Sequence, residues 1–258
     1  MDIDDILASV DRHDDSPASA ALDHQLLTRF WVAERAVSEV LPWPTLLMER
    51  MMERVSQQIS RIEDLASSSS PTTNLHLSIL QTDLARTQYL IRSLLRQRLS
   101  KLTKHSMYYL LKIAGANPVD SQPSQHHHNQ QQPQDSVPDF PAGILGSNTS
   151  PLSNQEASFL HAHQKLLAGH FGASFLSGFP AQLRRLDDNA GGTSMVTGPD
   201  GREAVFVRCL ADEVVVRVPP GDGIDVEEIG VSMRKGEVWA VRWEGVREAW
   251  EGGELELL

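Results

Sequence analysis

The chain has 258 residues, a net charge of −11 and a hydrophobic fraction of 40%, enough for one large domain or two modest ones. Its single cysteine, Cys209, excludes a disulfide framework and a cysteine-rich zinc site and fits a reducing compartment. No run of about 18 apolar residues could cross a bilayer, and the acidic start Met1-Asp2-Ile3-Asp4-Asp5 lacks the positive charge of a secretory signal.

The expectation is a soluble cytosolic or nuclear protein with no membrane partner. Its acidity is uneven. Residues 1–15 hold six acidic side chains against Arg12, and residues 188–258 hold fifteen against seven basic ones. Residues 75–112 invert the balance, with seven basic side chains against Asp83. A net negative charge argues against broad nucleic-acid binding. The basic segment is a local exception.

Ile3, Ile6, Leu7 and Val10 fall at helical spacing with carboxylates between them, so residues 1–12 read as a short amphipathic helix. His13 to Ser19 is polar and reads as a flexible tether. A helix is predicted from about Ala20 to Val40, on Leu22, Leu26, Phe30, Ala33 and Val37. Leu41-Pro42-Trp43-Pro44 stops it, because proline lacks a donor and restricts the residue before it.

Leu47, Met51, Val55, Ile59 and Ile62 predict a helix over 45–65. After the serine run at 67–70, a single long helix is predicted from Leu75 to about Ile113, roughly 55 Å long. Such a helix is too long and too apolar for a small bundle to cover alone. Residues 119–151 are rich in Gln, His, Ser and Pro and read as a disordered linker. Its His126-His127-His128 run is read as low complexity. Ser153 with Glu156 signals a capping box opening the next helix, and residues 152–190 complete the helical part.

From 191 onward the period changes. Glu203–Leu210, Val214–Val218, Val231–Met233, Val238–Trp243 and Glu254–Leu258 read as strands of a small all-β module. Ala211-Asp212-Glu213 is expected to join the first two as a hairpin. The fold class is therefore mostly α: a helical bundle, in segments 20–118 and 152–190, followed by a small β-rich domain at 191–258.

Catalytic signatures are missing. The chain has no phosphate loop, no dinucleotide fingerprint, no H-E-x-x-H and no G-x-S-x-G. His161 and His163 lie two apart, on different sides of a helix. Asp187-Asp188 reads as a helix boundary, and only a hydrolase reading would use it. Neither a cofactor nor a metal site is expected.

Two features remain as interaction candidates. The basic helix offers Arg86, Arg92, Arg96, Arg98, Lys101, Lys104 and Lys112, of which Arg92, Arg96, Arg98, Lys101 and Lys104 are candidate subunit or DNA contacts. A stand-alone DNA-binding factor using 86–112 is the alternative function. At the N-terminus, Ile3, Asp4, Asp5, Ile6 and Leu7 have the form of a helix-in-groove ligand. The same residues could equally be a frayed terminus or a segment packed on their own domain.

The chain resembles the Sld-five family of the eukaryotic GINS replication complex, in a fungal form. The resemblance rests on MDIDDILASVD at the start, FWVAERAVSEVLPWP at 30–44 and YLIRSLLRQRLSKLTKH at 89–105. It continues with LSNQEASFLHAHQKLLAGHFGASFL at 152–176 and FPAQLRRLDD at 179–188. MVTGPDGREAVFVR at 195–208, KGEVWAVRW at 235–243 and the ending GELELL complete it. The resemblance implies a GINS A-domain type bundle before the β domain, and a nuclear, non-enzymatic scaffold within a heterotetramer of four subunits. The complex would join the MCM ring and the Cdc forty-five protein in the replicative helicase. It also implies that Asp2 to Val10 docks on the trimeric hub known as Ctf-four or And-one, with Ile3, Ile6 and Leu7 as anchors and Asp4 and Asp5 supplying charge. The linker has no matched counterpart, and Trp250 and the Gly252-Gly253 pair stand where the family usually has smaller apolar residues.

Overall fold

The computed structural model describes residues 17–67, 71–113, 151–180, 196–218 and 229–258. They form six α-helices and five short strands. The helices are α1 (Pro17–Ala36), α2 (Thr45–Ala66), α3 (Pro71–Lys104), α4 (Ser106–Ile113), α5 (Asn154–Ser174) and α6 (Trp243–Glu251). The strands are β1 (Ala204–Cys209), β2 (Glu213–Val218), β3 (Ile229–Arg234), β4 (Val238–Arg242) and β5 (Leu255–Leu257). The fold is a mostly helical chain ending in a small antiparallel β region, as expected.

The helix limits differ from expectation in instructive ways. α1 and α3 both begin at a proline, Pro17 and Pro71. Proline is well suited to the first helical position, where its missing donor has no partner to lose. α1 ends at Ala36 rather than Val40 because the next donors turn elsewhere. The Val40 N–H donates to the Tyr109 hydroxyl at 2.8 Å. The expected single helix over 75–113 is two helices divided at His105. There His105 Nδ1 lies 2.9 Å from the Thr197 carbonyl, and Ser106 Oγ accepts from the buried Gln164 amide at 2.9 Å.

The chain divides into two compact units. The first comprises Met1–Val37, Pro44–Gln97 and Gly201–Leu258. Here Leu27, Ala33, Met48, Met51, Val55, Ile91 and Leu94 are buried on three helices. Polar ties fix their register. Asp23 on α1 is buried and accepts from Arg50 at 2.8 Å and pairs with Arg54 at 3.2 Å, both on α2. Gln58 on α2 donates to the Leu80 carbonyl of α3 at 3.0 Å, and Trp31 of α1 donates to Ser93 of α3 at 2.9 Å.

The same unit carries the strands. β1 pairs antiparallel with β4 on one side and β5 on the other, and β2 pairs with β3 in a separate sheet. The expected β1–β2 hairpin is thus corrected. Adjacent in sequence, the two strands go to different sheets. The chain turns at Lys235-Gly236, where Gly236 takes φ +83 and donates to the Cys209 carbonyl at 2.9 Å. The module is not all-β either, because α6 packs on β2, β4 and β5. Strand alternation sends Val205, Val207 and Cys209 inward, where Val214, Val216, Met233, Val246, Leu255 and Leu257 are also buried.

The second unit comprises Ser38–Trp43 and Arg98–Asp200. Val40, Leu102, Tyr109, Leu110, Leu152 and Leu160 form its core, with Met107, Tyr108 and Ile113 against it. Residues 196–200 lie close to α4: a Cβ on Gly198 would stand 3.0 Å from the Tyr108 ring. The capping box is present as expected. Ser153 Oγ accepts from the Glu156 N–H at 3.2 Å, and Glu156 Oε2 accepts from the Ser153 N–H at 2.9 Å. α5 ends at Ser174, a single turn of 3-10 helix follows at Leu176–Gly178, and the expected helical close at 183–188 lies outside the described residues.

Candidate partner-binding surfaces

The basic helix is not the continuous charged face that its sequence suggests. Arg98 is 0% exposed. Its Nε donates to Glu156 Oε1 at 2.6 Å and its Nη2 to Glu156 Oε2 at 3.0 Å. Nη1 donates to the Leu41 carbonyl at 2.7 Å, and Nη2 also reaches the Pro151 carbonyl at 3.3 Å. The Trp43 ring covers the guanidinium, with its centroid 5.1 Å from Cζ. A bidentate pair with its remaining donors satisfied is the arrangement in which a buried arginine is tolerable. Arg98 is therefore corrected from a subunit or DNA contact to an internal lock.

Lys101 is half-buried and donates to the Glu39 carbonyl at 2.8 Å. Lys112 pairs with the Glu39 carboxylate at 3.2 Å. These two also serve their own unit. Arg86, Arg92, Arg96 and Lys104 are exposed, and Arg92 donates to Gln88 one turn back at 3.2 Å. Ile3, Asp4, Asp5, Ile6 and Leu7 lie outside the described residues.

Apolar surface, not charge, distinguishes the exposed faces. On α3, Leu75, Ile79 and Tyr89 are 67%, 58% and 61% exposed. Further along the same helix Ile91, Leu94 and Leu102 are buried. On the second unit, exposed Phe175 and Phe179 continue a chain of rings from Phe171, with centroids 5.6 and 6.4 Å apart. On the outer face of the three-stranded sheet, Phe206, Val238 and Leu258 are exposed. Patches of large apolar side chains on ordered elements mark surfaces that partners cover. Periodicity alone predicted an apolar α3 but could not separate its buried half from its exposed half.

Chemistry is sparse. Among the described residues, no three His, Cys, Asp or Glu side chains gather in a metal-binding group. No described helix is long and apolar enough to cross a membrane. Cys209 is buried on β1, and burial pushes its thiol above the ordinary range; its Sγ donates to the Ala211 carbonyl at 3.2 Å. Asp187 and Asp188 lie outside the described residues.

Comparison with known proteins decides the family. A GINS complex protein helical bundle domain matches residues 50–175, and the C-terminus of DNA replication complex GINS protein SLD5 matches residues 199–258. A Chaetomium globosum protein named DNA replication complex GINS protein SLD5 is 35% identical over 259 residues, covering 100% of both chains. The chain belongs to the SLD5 family of GINS proteins. A Yarrowia lipolytica SLD5 protein is 30% identical, covering 100% of this chain and 85% of its own. One from Schizosaccharomyces pombe is 27% identical, covering 92% of each. The SLD5 matches extend through both the helical bundle and the β region, in the order that the quoted sequence stretches suggested.

Proposed function

We propose that this SLD5-family chain is a non-catalytic scaffold subunit of a nuclear, heterotetrameric GINS complex in DNA replication. Its partners are three other GINS subunits. Through the assembled complex it joins the MCM ring and the Cdc forty-five protein, which with GINS form the replicative helicase. The observation that carries this reading is the exposed apolar face of α3 at Leu75, Ile79 and Tyr89. A 34-residue helix with large apolar side chains in water fits a subunit whose neighbour supplies the missing cover. Arg92, Arg96 and Lys104 remain available to acidic partner surfaces. Ile3, Ile6 and Leu7, flanked by Asp4 and Asp5, form the motif that docks on the trimeric Ctf-four or And-one hub.

Co-expression with the three other GINS subunits, followed by size-exclusion chromatography with light scattering, tests the scaffold. A stoichiometric four-chain particle is expected. A well-behaved monomer that ignores those subunits would sink the reading. In a pull-down with the hub, replacing Ile6 and Leu7 with Ala should remove binding and leave the four-chain particle intact. Unchanged hub binding would refute the docking motif.

A further inference from the structure

The second unit carries an apolar face of its own. On α5, Phe159, Ala162, Leu166, Gly169 and Ala173 are all exposed, Phe159 at 40% and Leu166 at 70%. Their spacing alternates three and four residues, the repeat of a two-helix seam, and it runs about 21 Å along the helix. The buried residues Ala157, Leu160 and Gln164 lie on the other side of α5. The seam is therefore not the side that the unit's own core uses. Large side chains stand beside small ones along it, the pattern that lets two helices interdigitate. A side chain on Gly169 would meet no described atom within 4 Å. That leaves a hollow next to Leu166 where a side chain from another helix can enter.

We propose that this seam receives one amphipathic helix of a partner protein, with aliphatic residues on its apolar stripe and Asp or Glu along its margins. The charge pattern of α5 selects that chemistry. The chain has 34 acidic residues, yet Ala157 to Pro180 hold none. Lys165 is exposed beside Leu166, and His170 is exposed one turn further on. His163 stacks on Phe159 with ring centroids 5.8 Å apart, and its Nδ1 is buried with no hydrogen-bond partner among the described residues. A buried polar atom left unpaired costs free energy. A carboxylate at the margin of an incoming helix supplies the partner once the exposed Phe159 ring turns into the seam. A second copy of α5 would bring Lys165 and the same histidines to these margins, and so fits them less well.

The seam lies on a different helix, in a different unit, from Leu75, Ile79 and Tyr89. It goes beyond the scaffold reading and does not depend on it. Failure of the four-chain particle to form would leave the proposal untouched, because its test needs only this chain.

The test titrates the full-length chain into a fluorescent three-heptad peptide with Leu on its stripe and Glu at the flanking positions, followed by anisotropy. A second peptide carries Lys in place of Glu. At physiological ionic strength, exposed charges are screened beyond about 8 Å, so the flanks of the seam decide and not the chain's net charge. The Glu peptide should bind roughly threefold more tightly than the Lys peptide. Leu166→Gln should weaken it roughly tenfold, the scale of one leucine buried on binding. Leu166 is already 70% exposed, so this variant should keep its circular dichroism and melting temperature. Lys165→Glu should reverse the preference between the two peptides, which neither misfolding nor general stickiness would do. Binding of neither peptide, equal binding of both, or full affinity after Leu166→Gln overturns the proposal. So does self-association of the chain that Leu166→Gln abolishes, which would make a second copy the occupant.

Discussion

Arg98 and Glu156 are separated by 58 residues of sequence, yet the guanidinium donates to both of the carboxylate's oxygens. Removing one member of a buried pair leaves the other uncompensated, which costs about 3–5 kcal/mol. Arg98→Met should therefore lower the denaturation midpoint sharply. Arg98→Met with Glu156→Leu should recover part of the loss, because two apolar groups leave no stranded charge. A double variant as unstable as the sum of the singles would contradict the lock. Cys209 offers a milder test. Its thiol is raised by burial, so the folded state holds its proton to higher pH than the unfolded state. Its contribution is complete below the unfolded value and is lost as pH rises from about 8.5. Thermal melts of Cys209→Ala should show a shallower alkaline decline than wild type.

At the level of single elements, legibility followed locality. Ser153 and Glu156 announce the start of α5 because both halves of a capping box lie within one turn. Ser153→Ala should cost about 1 kcal/mol, read as a shift in the chemical denaturation midpoint with the Arg98 pair still intact. The partner of Arg98 was hidden for the opposite reason, since nothing local distinguishes a basic side chain bound for the interior from its exposed neighbours. The strands show the same limit. Val-rich alternation located β1 and β2, but pairing depends on which edges meet, and β1 lies between β4 and β5. α6 is a finding of the structure, because the pattern Val238–Trp243 predicts a strand running through Trp243. Buried Trp243 and Val246, three apart, with Trp250 seven beyond the first, carry a helical period that could have revealed it.

Across the whole molecule, sequence patterning predicted the division of labour between helices and strands and the long apolar helix that a lone bundle would leave uncovered. It did not predict which half of that helix stays bare, because burial depends on neighbours. Replacing Leu75, Ile79 and Tyr89 with Gln should leave the circular dichroism of the chain unchanged and weaken capture of the other GINS subunits. Loss of helical signal instead would mean that these side chains serve the fold and not the partner.

The lock at Arg98 has a further effect on chain length. It fixes Pro151 and Glu156 beside the C-terminal end of α3, while α4 ends at Ile113. Both ends of segment 114–150 are thus anchored by contacts that do not involve its own residues. Lengthening the chain between two fixed ends costs only about 0.6 kcal/mol of closure entropy per doubling. A fluorescent protein inserted between Gln130 and Gln131, or removal of residues 120–150, should shift the melting temperature by no more than a few degrees. The subunit could thereby be labelled without altering any described helix.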